Sequence, residues 1–496
     1  MVTSMLRFAL RLLALTATAC VFFSTAGAQT TPTGQRIVPD AGPVLVAPTT
    51  PIAPTPAAAP TPVVVPTPVV APAPPIASTP IIAPAVPVTP AIATPPVLAT
   101  AAVATMRGDT AWILTSAALV VFMVFPGLSL FYGGLVRRKN VISIYAQCVV
   151  VAAAATLSWV AISYSIAFSP TGGGYVGDLS RAGLTGILPE SLFPGAEALE
   201  WPMVVFHLSF AMITTALVIG SFAERVRPGG VLLFGLLWPA LVYAPVARWV
   251  WHSDGWLAKM GHLDWAGGTV VHVAAGFSGL AAAIVTGRRL GYGQDAMTPN
   301  HMGLTLAGAG CLLVGWMGFN GGSALHADHV AAIAIVNTLA AGAAGAVVWM
   351  VIEGALRGYA SGLGMASGVL GGLIAITPAA GYVTPLVALA YGALGAAAGY
   401  LGAVVLKRLL NVDDSLDVFG LHGVAGVAGS IAVGVFASNQ ANASVGVQLF
   451  ATAVIAVYSF AVTLVIVATL RALGTWRVAV DQELEGLDVS QHAESV

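Results

Sequence analysis

Polar residues divide the chain into long apolar segments. From residue 110 onward, eleven apolar segments alternate with short polar connections, and each segment is long enough for a helix to cross most or all of a bilayer. Polar and apolar side chains do not alternate within them, so the pattern indicates helices and not a membrane β-barrel. The predicted segments are 110–132, 141–168, 201–222, 229–250, 267–286, 302–320, 330–354, 361–378, 385–406, 418–437 and 446–471.

Lys and Arg are concentrated on one side of the predicted membrane. Twelve basic residues follow segments one, three, five, seven, nine and eleven. The opposite side holds only Arg36, Arg107, Arg181, Arg248 and Lys259. Connections rich in Lys and Arg face the cytoplasm. The pattern therefore predicts an N-terminus outside the cell and a C-terminus inside it.

The N-terminal part of the chain differs from the rest. Residues 1–28 have a basic start, a short apolar run and Ala-Gly-Ala before Gln29, which predicts a cleaved secretory signal; the alternative is a retained membrane helix. Residues 29–105 are mainly Pro, Ala, Thr and Val, and repeated proline predicts a disordered extracytoplasmic tether. The remaining chain divides into a membrane domain, 106–471, and a cytoplasmic tail, 472–496.

The composition agrees with a membrane protein. Hydrophobic residues make up 57% of the chain and charged residues only 8%, whereas soluble proteins carry about 25% charged residues. The three cysteines form neither a disulfide framework nor a metal-binding pair. We expect an all-α polytopic membrane protein with no cofactor, no metal site and no nucleic-acid partner.

One motif occurs twice in the apolar region. Residues 264–279 and 414–429 both fit D-x7-H-x2-A-G-x2-G, with His272 and His422 as the histidines. The copies fall in segments five and ten. Each block contains an odd number of segments, five, so the second block inserts into the membrane with the opposite orientation. Two inverted five-helix repeats plus an eleventh helix are predicted, which is typical of transporters and channels.

The repeated histidines are candidates for a functional pair. The inverted repeat predicts that His272 and His422 both lie near mid-bilayer. Ionisable residues at that depth are costly, so they usually line a pathway or pair with each other. The Ala and Gly residues after each histidine let helices approach closely. One buried histidine would be read as an ordinary core residue; two in matching motifs favour function. Further ligands at metal-site spacing are missing.

The aspartates of the motif allow two interpretations. Asp264 and Asp414 lie eight residues before the histidines, where an aspartate can cap the N-terminus of a helix. Asp264 can also attract a cation on the outer side, and both roles can hold together. Asp413 and Asp417 can frame an inner vestibule.

Aromatic residues cluster near the outer ends of segments three and four. They are Phe206, Phe210, Trp249, Trp251 and Trp256. Such a cluster forms either an interfacial aromatic belt or a cation–π site.

The chain from about residue 109 to the C-terminus resembles the ammonium transporter and Rhesus-protein family. Long phrases match in collinear order: PGLSLFYGGLVRRKN at 126–140, SFAMIT at 209–214, GSFAERVR at 220–227, GGTVVH at 267–272, GWMGFNGGSA at 315–324, VDDSLDVFGLHGVAG at 412–426 and EGLDVSQH at 485–492. The resemblance implies an eleven-helix protomer, a homotrimer with one pore per protomer, and a bacterial inner-membrane location.

The resemblance also implies site residues. The outer ammonium site matches Phe210, Trp251 and Ser323, beside Phe319, and the gate matches Phe206 and Phe210. The pore matches His272, His422, Trp316, Tyr132 and Thr377, with Asp264 as the nearby charge and Asp414 in the corresponding position.

The sequence departs from the family pattern at the outer vestibule. His207 stands where glutamine is frequent, Leu208 stands where glycine is common, and one residue is inserted between Trp251 and Asp264. The shape or pH response of the vestibule is therefore expected to differ.

The function that follows is ammonium transport. An ammonium ion would be captured outside and deprotonated near Asp264, and ammonia would pass His272 and His422 with proton transfer by a separate or histidine-assisted route. A bare ion would pay far more than neutral ammonia to cross an apolar pore. Neutral imidazole both donates and accepts hydrogen bonds.

Other functions remain as alternatives. A sensor would be expected to carry an attached signalling domain, and a Rhesus-type gas channel would be expected to lack the tryptophan matched by Trp251. An enzyme is disfavoured, because no cofactor fingerprint or nucleophile–base set occurs. The tail phrase EGLDVSQH implies docking of a PII-type regulatory protein; the alternative is a tail that braces neighbouring subunits.

Overall fold

The structure, a computed structural model, describes residues 97–437, 440 and 443–496. The predicted signal, 1–28, lies outside these residues, as does most of the predicted tether, 29–105. One part of the tether prediction is corrected, because the backbone is helical from Val97 onward. Pro96 is the last proline before Pro126, and the Ala-rich sequence that follows Pro96 favours helix.

The described chain is all-helical, as the apolar pattern predicts. It contains ten helices long and apolar enough to cross a membrane and one shorter apolar helix, α8. The helices are α1 (Met106–Leu135), α2 (Arg138–Phe168), α3 (Glu200–Phe222), α4 (Pro228–Lys259), α5 (Gly268–Thr286), α6 (Met302–Gly322), α7 (His329–Arg357), α8 (Gly362–Ile376), α9 (Pro385–Leu410), α10 (Phe419–Phe436) and α11 (Val445–Ala472). The described tail adds α12 (Val480–Glu485) and α13 (Leu487–His492).

Helices α5 and α10 pack against each other in opposite directions. The residues just after α5 meet the residues just before α10, where Arg289 pairs with Asp413. Glycines of the repeated motif allow the contact: a Cβ on Gly276 would collide with the backbone of Gly423, and a Cβ on Gly426 would lie 3.1 Å from the Cβ of His272. The small residues of the motif therefore serve close packing, as the sequence predicts.

The two helices also begin alike. α5 opens with a π-helical turn, Gly268–Val273, and α10 opens with another, Phe419–Ala425. His272 lies in the first turn and His422 in the second. Single π-turns are rare and often mark functional sites, so the motif repeats in backbone conformation as well as in sequence.

A buried ion cluster joins the connections at one end of the bundle, called here the basic face. Arg289 binds Asp413 through two nitrogens, at 2.7 and 2.9 Å, and reaches Glu224 at 3.1 Å. Glu224 also accepts a hydrogen bond from the Nε–H of Arg137 at 2.8 Å. Burial opposes ionisation of Asp413, but Arg289 outweighs it and lowers the pKa of that carboxyl to about 2.

The tail packs on the same basic face. The backbone N–H of Leu487 donates to the side chain of Asn140 at 2.9 Å, and the N–H of Ser143 donates to Asp488 at 2.8 Å. Glu483 accepts from the N–H of Leu290 at 2.7 Å. These bonds tie the tail to the start of α2 and to the connection after α5.

Candidate functional site

The two motif histidines contact each other. Their Nδ1 atoms are 3.2 Å apart, and the rings lie nearly parallel with centroids 5.3 Å apart. The side chains are buried, with His272 1% exposed and His422 7% exposed. In a neutral pair one Nδ1–H donates to the other Nδ1, so one outer Nε2 is a donor and the other an acceptor.

An aromatic wall holds the position of His272. The Trp316 ring lies nearly parallel to the imidazole at 5.4 Å, and the Phe319 ring lies beyond it at 6.1 Å. Trp316 Nε1 donates to the hydroxyl of Thr377 at 2.9 Å, and that hydroxyl donates to the carbonyl of Leu373 at 2.7 Å. Because its N–H is engaged, Trp316 presents the ring face to His272.

The histidines line a narrow apolar space, called here the histidine cavity. The volume of this cavity is about 20 Å³. By the same measure, one buried water needs roughly 10–15 Å³. Its lining is mostly apolar, with the histidines and Tyr132 as the polar exceptions. The lining residues are Met123, Leu128, Phe131, Tyr132, Ile213, Leu217, Val271, His272, Leu312, Trp316, Phe319, Leu370, Leu416, Leu421 and His422.

A larger space, called here the outer cavity, lies at the other end of the aromatic wall. It measures about 120 Å³ and is lined by Phe193, Met203, Phe206, His207, Phe210, Trp251, Trp265, Ser323 and Leu325. The Phe210 and Trp251 rings stand edge to face at 5.8 Å. Ser323 donates its hydroxyl hydrogen to the carbonyl of Phe319 at 2.8 Å, which leaves its oxygen lone pairs available. Aromatic faces with a hydroxyl acceptor suit a small cation.

Phe210 and Phe319 close the way between the two cavities. Their rings stack at 4.1 Å with planes 19° apart, and Phe206 packs on Phe210 at 4.8 Å. Phe210 lines the outer cavity, whereas Phe319 lines the histidine cavity. A molecule passing from one to the other must displace these rings.

Asp264 is occupied by capping the start of α5. One carboxylate oxygen accepts from the N–H groups of Gly267 and Gly268 at 2.8 and 2.6 Å. The other accepts from the N–H groups of Thr269 and Val270 at 2.8 and 3.1 Å, and from the Thr269 hydroxyl at 2.5 Å. The capping interpretation thus accounts for every one of these contacts, and any effect on a cation is exerted at a distance.

Asp414 caps α10 with fewer bonds. It accepts from the N–H groups of Val418 and Phe419 at 3.0 and 2.8 Å. Burial raises the pKa of this carboxyl to about 6. Asp417 instead pairs with Lys407 at 2.7 Å, and Asp413 belongs to the buried cluster with Arg289.

A third cavity, of about 350 Å³, opens on the basic face. Asp417 and Lys407 line it, and Leu421 lines both this cavity and the histidine cavity. At the same end, the Tyr132 hydroxyl donates to the carbonyl of Leu217 at 2.9 Å. The histidine cavity therefore shares a wall residue, Leu421, with the third cavity, and the stacked Phe210 and Phe319 rings lie between it and the outer cavity.

Sequence patterns did not single out two residues beside Asp264. The Thr269 hydroxyl donates to Asp264, and His262 Nε2 lies 3.1 Å from that hydroxyl. Thr269 comes three residues before His272 and His262 two residues before Asp264. Only the turn that brings the carboxylate back over the first turn of α5 makes them neighbours.

Comparison with known proteins identifies the family of the chain. The model of the Ammonium Transporter Family matches residues 111–496. An ammonium transporter of Bacillus subtilis is 40% identical over 409 residues, covering 78% of this chain and 98% of that protein. Ammonium transporter Amt1 of Archaeoglobus fulgidus is 40% identical over 397 residues, covering 78% and 98%.

Two solved structures share the fold. The crystal structure of Candida albicans Mep2 has a TM-score of 0.70 at 32% identity, covering 76% of this chain and 87% of that one. A sensor Amt protein has a TM-score of 0.72 at 26% identity, covering 78% and 99%. With a family match across most of its length and relatives at 40% identity, this chain belongs to the Ammonium Transporter Family.

Proposed function

We propose that this protein transports ammonium into the cytoplasm by binding the ion in the outer cavity and passing ammonia through the histidine cavity. The observation that carries the proposal is the sequence of spaces. A cavity with aromatic faces and a hydroxyl acceptor leads to a narrow apolar cavity containing a hydrogen-bonded histidine pair. The first space favours a cation, and the second disfavours one.

Capture depends on Phe210, Trp251 and Ser323. Aromatic faces attract a cation by about 0.5–2 kcal/mol per ring, more when water is excluded. The Ser323 oxygen accepts one N–H of the ion, since its own hydrogen is directed to Phe319. Movement of Phe206 and Phe210 then admits the substrate to the histidine cavity.

The ion gives its proton to solvent in the outer cavity before it enters the histidine cavity as ammonia. That cavity is almost entirely apolar and has room for about one molecule the size of ammonia, so a charged occupant would be strongly disfavoured. Ammonia accepts a hydrogen bond from one Nε2–H of the pair and donates to the other Nε2. A proton can follow through His272 and His422 by exchange of their tautomers, which makes transport electrogenic.

Growth rescue tests the proposal. We expect the native protein to restore growth of an ammonium-uptake-deficient cell at low ammonium and low pH. His272→Ala should abolish rescue although the protein reaches the membrane, because the pair can no longer form. An inserted native protein that gives no growth would contradict transport.

Electrical recording separates the two forms of transport. We expect an ammonium pulse to produce a current in liposomes that contain the native protein. Ammonia uptake without current would reject proton transfer and leave a gas channel of the Rhesus type as the function.

A sensor is the second candidate, because the sensor Amt protein shares the fold over 99% of its own chain. The same liposomes distinguish the two. Ammonium binding without flux would favour sensing, whereas flux that scales with the amount of protein favours transport.

We further propose a homotrimer in a bacterial inner membrane, with the basic face in the cytoplasm. The positive residues of that face and the family membership support this orientation. Native mass spectrometry should find three 50.1 kDa chains, less the signal if it is removed.

A PII-type protein is proposed to bind the basic face. Co-purification at low nitrogen supply tests this binding, and failure to bind under any nitrogen supply favours a bracing tail.

A further inference from the structure

His207 stands on the wall of the outer cavity inside an aromatic cage. Its ring stacks on Phe193 at 5.2 Å with planes 12° apart and packs on Phe168 at 4.3 Å. The Trp251 ring lies 5.7 Å away on another side. The cage leaves the imidazole 7% exposed, so its orientation is fixed by packing.

A backbone contact fixes the tautomer of His207. Its Nδ1 lies 3.0 Å from the carbonyl oxygen of Met203. A carbonyl only accepts hydrogen bonds, so Nδ1 carries a hydrogen, and in the neutral imidazole Nε2 then has the lone pair. Nε2 has no hydrogen-bond partner among the described residues and is not sealed from the cavity. His207 therefore presents a neutral nitrogen acceptor.

Acceptors are scarce in this cavity. Among the residues that line it, only Ser323 and His207 have a side-chain oxygen or nitrogen acceptor that is free, and the Met203 sulfur accepts only weakly. Trp251 and Trp265 carry donors, and both donors are already bonded to backbone carbonyls, at 3.0 and 2.8 Å. No lining residue of the outer cavity carries a carboxylate. A cation in this space thus finds one oxygen and one nitrogen.

We infer that His207 is a specificity-determining residue of the outer site, whose Nε2 accepts an N–H of ammonium and disfavours potassium. The inference rests on the proposed transport of ammonium. Ammonium has a hydrogen to direct at each lone pair. Potassium has none and is held in proteins by several oxygen atoms. An imidazole nitrogen in place of an oxygen ligand removes one of the oxygen atoms that potassium needs. It keeps a lone pair that an N–H of ammonium uses.

Two substitutions separate the acceptor from the ring. His207→Phe keeps an aromatic ring against Phe168 and Phe193 but has no acceptor. His207→Gln restores an acceptor, now an oxygen. His329→Phe is the matched control, because His329 is an exposed histidine outside the outer cavity. Ammonium uptake is measured in liposomes with and without excess potassium on both sides of the membrane.

We expect His207→Phe to raise the KM for ammonium about tenfold, the size of one hydrogen bond to a charged group, with a smaller effect on kcat. His207→Gln should restore the KM without potassium but become inhibited by potassium, unlike the native protein and the control.

An unchanged KM in His207→Phe, or equal potassium sensitivity in His207→Gln and the native protein, would overturn the inference alone. A native protein that moves no ammonium would overturn the proposed function as well. If His207→Phe does not fold, the potassium response of His207→Gln decides.

Discussion

The two aspartates of the repeated motif make unequal sets of hydrogen bonds. Asp264 accepts five and Asp414 accepts two. Both cap a helix that begins with a π-turn and carries one histidine of the contacting pair. The motif therefore conserves a position in the fold, while the strength of the cap differs between the two ends of the bundle.

This difference predicts unequal effects of substitution. Asp264→Ala should lower the unfolding free energy by about 2 kcal/mol or more and Asp414→Ala by about 1 kcal/mol, since lost N-caps cost roughly 0.5–2 kcal/mol. Thermal unfolding in detergent measures both. Thr269→Val, which removes the hydroxyl bonded to Asp264 and His262 but keeps the backbone N–H bonds to Asp264, serves as the control. Equal losses for the two aspartates would contradict a capping role that depends on the number of bonds.

At the scale of elements, the basic face is joined by charges from three connections. Glu224 follows α3, Arg289 follows α5 and Asp413 precedes α10, and all three side chains are buried. Buried charges are stable only while each keeps its partner. The cluster therefore fixes the ends of α5 and α10, and through them the spacing of His272 and His422.

Acid should weaken this junction. Asp413 has a folded pKa of about 2, below its ordinary 3.8, so its contribution is fully present above pH 4 and is lost as pH falls towards 2. The shift corresponds to about 2 kcal/mol. Asp414 has a raised pKa of about 6 in the folded protein and acts in the opposite direction. Its contribution to stability is fully present below pH 4 and is lost as pH rises through 6.

Comparison of two proteins isolates the effect of Asp413. We expect stability between pH 4 and 2 to fall less steeply in Asp413→Asn than in the native protein, although the variant is less stable at neutral pH because Arg289 loses its charged partner. Unfolding followed by intrinsic fluorescence against pH gives both slopes. Parallel curves would show that Asp413 is not responsible.

At the scale of the whole molecule, the tail joins parts of the basic face that are far apart in sequence. Leu487 and Asp488 bind the start of α2, and Glu483 binds the connection after α5. Trp476 packs among Phe222 and Phe234 of α3 and α4. The tail therefore connects both sides of the ion cluster without contacting the histidine pair.

Truncation tests this connection. A chain that ends at Val478 keeps Trp476 but loses α12 and α13. We expect faster amide hydrogen exchange at residues 138–143 and 287–292, because their partners are gone, and unchanged exchange in the middle of α5. Glu494→Ala, an exposed change, is the control. Unchanged exchange at both loops would mean that the tail is not holding them.

Much of this protein is determined by the local sequence. The apolar lengths predict the helices, because a bilayer-spanning helix needs an uninterrupted apolar surface. The doubled motif predicts that the two histidines belong together. The helix bounds agree with the predicted segments within four residues, except that α4 continues to Lys259, nine residues beyond its predicted end. The helical backbone that leads into α1 begins at Val97, inside the predicted tether of residues 29–105.

The tertiary structure decides what the side chains do. The histidine pair joins residues 150 apart, and the contact of Arg289 with Asp413 joins residues 124 apart. Sequence spacing carries no information on such distances, because they depend on how helices cross and on which rotamers the packing allows. The same reason applies to Asp264 and His207. The sequence allows a cap or a cation site for the first and leaves the surroundings of the second undefined, and only the fold fixes their hydrogen bonds and ring contacts.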